Sequence, residues 1–284
     1  MHEFTSVPPL RDWLSGQRAA GRRIGLVPTM GALHEGHLSL VDVARRHSDL
    51  VVLTIFVNPL QFGPGEDFQR YPRDLARDRR LAEARGVAAI FSPEVATMYP
   101  PGSETRVVPG ATAARWEGEI RPGHFEGVLT VVAKLFHIVE PAVAVFGQKD
   151  IQQGTLIKRM VADLDVPISI VIAPTVREPD GLALSSRNAY LDAEGRHQAL
   201  ALSTALRVAA QLWQAGERDS ATLERHMREQ FRMFSGVTVD YIAVVEPDYL
   251  TPVNTAATGT IIAVAARVGS TRLLDNLILG TEFR

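Results

Sequence analysis

The chain has 284 residues, enough for one large domain or two unequal ones with a sizeable hydrophobic core. Its formal net charge of −2 and its 22% content of charged residues show no electrostatic pattern for binding nucleic acid or an anionic membrane. The absence of cysteine excludes disulfides, thiolate catalysis and Cys-ligated zinc.

The beginning of the chain carries His2, Glu3 and early prolines instead of the basic and then apolar pattern of a signal peptide. No run of about 18 apolar residues is present to cross a membrane. The composition is that of a soluble globular protein, and together with the absence of cysteine these features predict a cytoplasmic protein, which we expect to be an enzyme.

Strand-like and helix-like segments alternate along the first part of the chain. The segment 50–57 consists of eight apolar or β-branched residues, which is typical of a strand buried on both faces. This alternation predicts a parallel, Rossmann-like α/β sheet. We expect strands at 24–27, 50–57, 87–91, 143–146 and 168–173, and helices at 8–20, 38–46, 73–85, 127–139 and 151–164.

The character of the sequence changes near residue 176. Asp180, Gly181 and nearby prolines break any regular element. Beyond them we expect helices and strands of a second domain, the helices at 193–214 and 220–234 and the strands at 237–245 and 260–268. We therefore predict a Rossmann-like domain at 1–175 and a smaller α+β C-terminal domain at 176–284.

The stretch 28–37, Pro-Thr-Met-Gly-Ala-Leu-His-Glu-Gly-His, connects the first strand to the next helix. Gly31 and Gly36 permit tight turns and a close approach of the backbone to a ligand. His34 and His37 are three residues apart, so in the first turn of a helix they point to one side. A helix N-terminus suits phosphate, and two imidazoles add donors that can follow charge onto a leaving phosphate.

Other interpretations of these two histidines remain open. A turn with His34 and His37 is also compatible with ordinary surface beside a helix cap. A zinc site is disfavoured, because the metalloprotease pattern is His-Glu-x-x-His and here the second histidine comes one residue too early.

Polar residues follow several of the expected strands. Because the carboxyl ends of parallel strands share one edge of a sheet, where ligands bind, these residues favour one nucleotide-sized cleft. They are His34 and His37 after the first strand, Asn58 and Gln61 after the second, Gly147, Gln148, Lys149 and Asp150 after the fourth, and Ser185, Ser186 and Arg187 beyond the fifth.

Each group also has a simpler interpretation. Lys149 and Asp150 are compatible with a solvated pair that caps the following helix, and 185–187 with a flexible polar linker. Asp74 and Asp78 share one face of the helix at 73–85, where solvated surface is favoured over magnesium binding. We expect His124 to be structural and not catalytic.

Three familiar motifs are absent. The chain has no Gly-x-x-x-x-Gly-Lys-[Ser/Thr] P-loop, no Gly-x-Gly-x-x-Gly fingerprint and no Gly-x-Ser-x-Gly elbow. A nucleotide would therefore need another phosphate-binding structure.

Five stretches together resemble the pantothenate synthetase (pantoate–β-alanine ligase) family, within the superfamily of HxGH nucleotidyltransferases and class I aminoacyl-tRNA synthetase-like proteins. His-x-Gly-His alone is a weak signal, but five stretches in the right order are highly specific. They are 28–37, Phe-Val-Asn-Pro-Leu-Gln-Phe at 56–62, Arg-Pro-Gly-His-Phe-Glu-Gly-Val at 121–128, Phe-Gly-Gln-Lys-Asp at 146–150 and Asp-Gly-Leu-Ala-Leu-Ser-Ser-Arg-Asn at 180–188.

This resemblance implies a two-step ligation with ATP and Mg²⁺. Pantoate and ATP would give pantoyl adenylate and diphosphate, and β-alanine would then give pantothenate and AMP. The resemblance also implies a homodimer, a domain at 1–175 that binds ATP and pantoate, and a lid role for the C-terminal domain at 176–284. The net charge predicts no nucleic acid and no membrane as a partner.

The resemblance further assigns roles to residues of this chain. It implies that His37 is the proton donor and that Gln61, Gln153 and Asn58 bind substrate, whereas the protein ligands of the metal stay unknown. The catalytic set would be His34, His37, Lys149, Ser185, Ser186 and Arg187. The nucleotide-binding set would be Met30, Gly31, Ala32, Leu33, His34, Glu35, Gly36, His37, Gly147, Gln148, Lys149, Asp150, Val176, Leu184, Ser185, Ser186 and Arg187.

Two positions depart from the family pattern, since Gln148 replaces Glu and Leu60 replaces Met. Two rival functions are a related nucleotidyltransferase for a phosphorylated acceptor and a nucleotide-sensing module without catalysis. The first would need further basic residues near 56–62, and the second predicts loss of residues such as His34 or Lys149, which are present.

Overall fold

The structure is a computed structural model that describes residues 1–283. The chain forms two compact units: unit 1 comprises Met1–Gly147 and Leu156–Ala173, and unit 2 comprises Gln148–Thr155 and the chain from Pro174 onward. The predicted boundary at 175/176 lies close to 173/174, where the chain enters unit 2 for the second time. However, Gln148–Thr155 belong to unit 2 and not to the first domain, which was predicted to span 1–175. The lid role of the C-terminal domain stays a prediction.

Unit 1 is built on a six-stranded sheet in which every strand pair is parallel. Its strands are β1 (His2–Phe4), β2 (Ile24–Thr29), β3 (Leu50–Ile55), β4 (Ala89–Phe91), β5 (Val143–Gly147) and β6 (Ser169–Ala173). The helices in this part of the chain are α1 (Val7–Ala19), α2 (Glu35–His47), α3 (Leu75–Ala84), α4 (Val95–Met98), α5 (Glu117–Ile120), α6 (His124–Val139) and α7 (Ile151–Asp163).

The strand order is β1-β4-β3-β2-β5-β6. From β2 the chain runs outward through β3 to β4, and it then returns to place β5 on the other side of β2. In open parallel sheets, ligands bind beyond the carboxyl ends of the strands where the order reverses in this way. The histidine turn follows β2 and Gly147 ends β5, so both lie at this reversal.

Alternate residues of β3 enter two hydrophobic clusters of unit 1. Leu50 and Val52 belong to one cluster, and Val51 and Leu53 belong to the other. Since successive side chains of a strand point to opposite faces, the strand is buried on both sides, as its apolar run predicts.

The strand β1 is not expected from the sequence. It has only three residues and is stabilised by parallel pairing with β4, a partner more than 80 positions away in the chain, as the pairing of Glu3 with Ile90 shows. A segment this short carries no periodicity of its own, so its strand conformation depends on its partner.

Unit 2 contains the helices α8 (Ala193–Gln214) and α9 (Ser220–Phe231) and a three-stranded antiparallel sheet. Its strands are β7 (Val237–Val245), β8 (Ile261–Val268) and β9 (Thr271–Ile278). The predicted fold class, a Rossmann-like sheet followed by a smaller α+β part, is confirmed. The strand β9 is not predicted from the sequence, because Asp275 and Asn276 interrupt its apolar pattern with residues that are uncommon in strands.

Within residues 1–283, no helix combines the length and the apolar character that crossing a membrane requires. The cytoplasmic location stays a prediction.

Helix α6 packs against the turn that follows β3, and the closest contact is made by Gly127 of the helix. A Cβ atom added at Gly127 would lie 2.2 Å from the carbonyl oxygen of Leu60 and 2.6 Å from the backbone nitrogen of Gln61. The carbonyl oxygen of Gly127 also accepts a hydrogen bond of 3.0 Å from Asn58 Nδ2. Only glycine permits this approach, which sets the position of the 58–61 turn.

We predict that Gly127→Ala lowers the free energy of unfolding by about 1–3 kcal/mol, because the methyl group displaces the Leu60–Gln61 backbone. Urea denaturation followed by circular dichroism measures this change. The control is Gly16→Ala in α1, where an added Cβ meets nothing within 4 Å. We expect the control to be neutral or stabilising by up to about 1 kcal/mol, since alanine favours helix. Similar destabilisation in both variants would contradict the packing argument.

Candidate active site

The two histidines lie at the start of α2. His34 is the residue before the helix, in an extended conformation, and the backbone N–H groups of His37 and Leu38 donate to its carbonyl oxygen at 2.8 and 3.1 Å. The ring centroids of His34 and His37 are 4.1 Å apart. The spacing therefore brings the rings together, as the sequence predicts, and both are half-buried.

A buried carboxylate holds the turn that precedes His34. Asp78 accepts hydrogen bonds from the backbone N–H of Ala32 at Oδ2 (2.9 Å) and from that of Leu33 at Oδ1 (2.8 Å). Gly31 and Ala32 have φ angles of +85° and +51°. Successive N–H groups in such a turn converge on one anion, and here the anion is the Asp78 side chain.

The close fit of Asp78 also explains the glycine at position 31. A Cβ there would lie 2.9 Å from Asp78 Oδ2, in addition to the left-handed backbone that glycine favours. The N–H groups of Ala32 and Leu33, both predicted to bind nucleotide, are thus engaged by the protein itself.

The expectation of a solvated face for Asp78 is wrong, since its exposed fraction is 1%. Burial raises the pKa of the Asp78 carboxyl, although the N–H bonds from Leu33 and Ala32 oppose this. Asp74, one turn earlier, accepts from the backbone N–H of Arg77 at 2.9 Å and caps α3. Helical periodicity places both acids on one face, but nothing local in the sequence indicates that the 31–33 turn covers only one of them.

Asn58 uses its whole hydrogen-bonding capacity within the protein. Its Oδ1 accepts from Tyr99 Oη at 2.9 Å and from the Leu60 N–H at 3.3 Å. Its Nδ2 donates at 3.0 Å both to the Gly127 carbonyl and to Gln61 Oε1. Asn58 therefore orients the carboxamide of Gln61 and is itself almost fully buried.

Gln61 contacts a second predicted site residue. Its Nε2 lies 3.2 Å from the sulfur of Met30, which follows β2. The residues after β2 and β3 are therefore brought together in unit 1, as parallel strands predict. A cavity of about 240 Å³ lies beside Gln61. It is lined by residues 60–64 and by residues of the α6 N-terminus, including His124.

His124 binds the backbone of Gln61 and not its side chain. His124 Nδ1 lies 2.8 Å from the Gln61 carbonyl oxygen, and Arg121 Nη1 lies 3.0 Å from Nε2. Because the arginine can only donate, Nε2 accepts and Nδ1 carries the proton of a neutral ring. Burial, and then the charge of Arg121, lower the pKa of His124 to about 4.

Arg121 is held in turn by Glu66. The guanidinium donates to both carboxylate oxygens of Glu66 at 2.7 and 2.6 Å, and to the Gln61 carbonyl at 3.2 Å. Burial opposes ionisation of Glu66, but the hydrogen bond and charge of Arg121 outweigh it and lower the pKa of the carboxyl. His124 and Arg121 thus fix the Gln61 backbone, in keeping with the structural role expected for His124.

In unit 2, the segment after Pro174 forms an ordered loop. The Leu184 N–H donates to the Val176 carbonyl at 2.9 Å, which joins two residues predicted to bind nucleotide. Ser185 caps a 3₁₀-helix at Ser186–Tyr190, with Oγ accepting from the Arg187 N–H at 3.2 Å. Ser186 and Arg187 therefore lie on a short helix and not in an irregular linker.

The remaining predicted residues are placed as follows. Glu35 is exposed and pairs with Arg85, and Gly36 lies in the first turn of α2. Lys149 is half-buried and Asp150 is exposed. Gly147 ends β5, Gln148, Lys149 and Asp150 form a 3₁₀ turn, and Gln153 lies half-buried in the first turn of α7.

A parallel sheet with a His-x-Gly-His turn at the reversal of strand order defines a Rossmann-like α/β protein. Residues 2–278 match the family described as pantoate-beta-alanine ligase. A pantothenate synthetase of Moorella thermoacetica is 52% identical over 280 residues, 98% of this chain and 99% of the relative. The chain therefore belongs to the pantoate-beta-alanine ligase family, and it is an enzyme that catalyses the ligation named by that family.

Solved structures agree with this assignment. A pantothenate synthetase from Thermus thermophilus has a TM-score of 0.93 and 48% identity, with 98% of this chain and 99% of that chain covered. A pantoate-beta-alanine ligase from Francisella tularensis, complexed with beta-gamma ATP and beta-alanine, has a TM-score of 0.82 and 33% identity over 100% of both chains. The predicted family is thus confirmed.

We predict that Asp78→Ala lowers both stability and ligase activity. Two buried N–H groups lose their acceptor, which costs about 2–4 kcal/mol, and the turn before His34 loosens. Thermal unfolding and kcat/KM are measured on the same preparation. The control Asp74→Ala removes a helix cap worth about 1 kcal/mol and leaves kcat/KM unchanged. Equal losses of activity in both variants would argue against Asp78 as the residue that holds the turn.

We also predict that the neutral His124 ring makes stability depend on pH. Its folded pKa of about 4 is below the ordinary value of 6.5, so its contribution is fully present above pH 6.5 and is lost as the pH falls to about 4. Asn at this position keeps a donor for the Gln61 carbonyl but does not titrate. The stability advantage of wild type over His124→Asn should shrink by about 3 kcal/mol over this range. If the difference in the free energy of unfolding between wild type and His124→Asn is the same at all pH values, the prediction is refuted.

Proposed function

We propose that the ligation proceeds in two steps through a pantoyl adenylate, with ATP as the second substrate. The observation that carries this proposal is the pair of histidine rings 4.1 Å apart at the carboxyl end of β2, next to β5. The Francisella relative, whose structure contains beta-gamma ATP and beta-alanine, supports the choice of nucleotide and amine.

Each step exchanges one bond for another. In the first, a carboxylate oxygen of (R)-pantoate attacks the α-phosphorus of ATP, and the bond to the bridging oxygen breaks to release diphosphate. In the second, the amine of β-alanine attacks the acyl carbon, AMP leaves with the electron pair, and the amine loses a proton. Adenylation turns a poor electrophile into a mixed anhydride, so no covalent nucleophile from the protein is needed.

In unit 1, we assign the phosphates of ATP to His34 and His37. Imidazole N–H groups at the N-terminus of α2 can stabilise the negative charge that develops on the leaving diphosphate. His37 would donate the proton. The turn 30–33 would lie against the nucleotide, with its shape maintained by Asp78.

We assign further contacts with the nucleotide to two segments of the chain, 147–150 and 184–187. The turn Gly147–Asp150 would contact the ribose, and Lys149 would place its ammonium group on phosphate. Leu184–Arg187 would bind phosphates with two hydroxyls and a guanidinium, a group suited to bidentate contacts with phosphate oxygens. Val176 would contact adenine.

We assign pantoate to Gln61 and Gln153, whose carboxamides can both donate and accept hydrogen bonds. Asn58 would then act through Gln61, because its own polar atoms are engaged within the protein. The neutral character of this pair suits a small hydroxy acid better than a phosphorylated acceptor.

Magnesium would enter as part of the MgATP substrate. The oxygens of Asp78, the buried acid nearest the histidine turn, are engaged by backbone N–H groups. Across residues 1–283, no group of three or more His, Asp or Glu side chains is arranged to hold a metal ion. The ion would be held by phosphate and water, the usual arrangement for Mg²⁺ with nucleotides. A homodimer stays a prediction from the family resemblance.

The experiment that tests the proposal is the release of diphosphate from MgATP with pantoate alone, followed by addition of β-alanine. We expect stoichiometric diphosphate first, and AMP with pantothenate only after β-alanine. Diphosphate that appears only after β-alanine is added would overturn the stepwise route through pantoyl adenylate.

We predict that His37→Ala reduces the rate of the first step about 100- to 1000-fold, the cost of removing one donor to a developing oxyanion. Rapid quench of diphosphate release measures this rate. The control is His47→Ala at the exposed end of the same helix, which should retain the wild-type rate. A His37 variant with near-normal adenylation would remove this residue from the mechanism.

A further inference from the structure

The strand β9 carries two adjacent polar residues, Asp275 and Asn276, in the middle of its length, and both are buried. Buried polar groups in a strand are costly unless they are hydrogen-bonded. Since successive residues of a strand point to opposite faces, these two side chains serve different neighbours.

Asp275 binds Arg177, at the start of the loop that leads to Ser185. The two side chains form a bidentate ion pair with distances of 2.6 and 3.0 Å, and both are almost fully buried. Arg177 Nη1 also donates to the Gly181 carbonyl at 3.2 Å. This pair ties β9 to the loop 177–181.

Asn276 binds the turn that contains Lys149. Its Nδ2 donates to the carbonyl oxygens of Gln148 (2.8 Å) and Lys149 (3.0 Å), and its Oδ1 accepts from Gln148 Nε2 at 3.1 Å. Its own backbone N–H donates to Asp275 Oδ1 at 2.8 Å. With an exposed fraction of 1%, Asn276 is shielded from the solvent that could replace these contacts.

These contacts also give the side chain of Gln148 a partner in β9. Asn276 uses both N–H bonds on the two carbonyls, so its oxygen faces position 148 and needs a donor there. The neutral carboxamide of Gln148 supplies that donor. The side chain at 148 is therefore directed toward β9, and the turn is held mainly through its backbone.

We propose that Asn276 is a positioning residue for Lys149, holding the 148–149 backbone so that the ammonium group meets the phosphates of ATP. The inference rests on the proposed role of Lys149 in nucleotide binding. Asn276 acts from a strand more than 120 residues later in the chain and touches no substrate itself. Its effect should therefore be on ATP and not on the pantoate or β-alanine requirement.

The test compares Asn276→Ala and Asn276→Asp with the wild-type enzyme by calorimetric MgATP binding and by steady-state kinetics. We expect about a tenfold loss of ATP affinity in both variants, the effect of losing a buried hydrogen-bond donor to the turn, and less than a twofold change in the KM of pantoate. Asp has the size of Asn but presents only oxygens to the two carbonyls. The Asn276→Asp enzyme should therefore bind ATP no more tightly than the Asn276→Ala enzyme.

The control for a purely structural effect is Val264→Ala, in the buried core of the neighbouring strand β8. It should lower the Tm of the enzyme at least as much as Asn276→Ala while ATP affinity stays at the wild-type value. If Val264→Ala weakens ATP binding equally, or if Asn276→Ala binds ATP normally, the proposal is overturned.

A double mutant tests whether Asn276 acts through Lys149. In a Lys149→Ala background, Asn276→Ala should change ATP affinity by less than about twofold, because the group that it positions is gone. Full additivity would overturn the proposal. Failure of the two-step reaction is distinguishable, since wild type would then release no diphosphate with pantoate while the ATP-binding comparison still reports on Asn276.

Discussion

The central strand β2 pairs in parallel with β3 on one side and β5 on the other, and the candidate site depends on this arrangement. All six residues of β2 are in register with β3, from Ile24 opposite Leu50 to Thr29 opposite Ile55. The connections after β2 and β3 therefore emerge at one edge, and the sulfur of Met30 meets the carboxamide of Gln61 there. Helix α2 begins directly after this edge, so its positive N-terminal end and both histidines are set where phosphate can bind.

Buried polar side chains hold the segments that carry the proposed chemistry. Asp78 binds the turn before His34, Asn58 binds Gln61, and Asn276 binds the turn of Lys149; each has an exposed fraction of 1%. In each case the buried polar atoms of the side chain are hydrogen-bonded to the backbone or to a carboxamide of the segment that they hold. Because a buried polar group is costly without its partners, each contact also restricts the segment to one conformation. Rigid placement of this kind is what positional catalysis requires, since small displacements of a catalytic group reduce rates strongly.

The ionisation states around Gln61 follow from the same burial. His124 is neutral at physiological pH because a charged ring would be both desolvated and next to Arg121. Arg121 instead has a carboxylate partner in Glu66, so the arginine charge is compensated inside unit 1. The result is a backbone carbonyl at Gln61 that is bound by two donors, while the side chain of Gln61 contacts Asn58 and Met30.

Local pattern in the sequence determined the parallel sheet, most helix positions, the His34–His37 geometry and the family, because apolar periodicity and short motifs are properties of neighbouring residues. It did not reveal β1 or β9, the burial of Asp78, or the grouping of Gln148–Thr155 with unit 2. Each of these depends on a partner far away in the chain: β4 for β1, the 31–33 turn for Asp78, and the 148–149 carbonyls for Asn276. Asp275 and Asn276 are uncharacteristic of a strand when read alone, and only the tertiary structure supplies the partners that make their burial favourable.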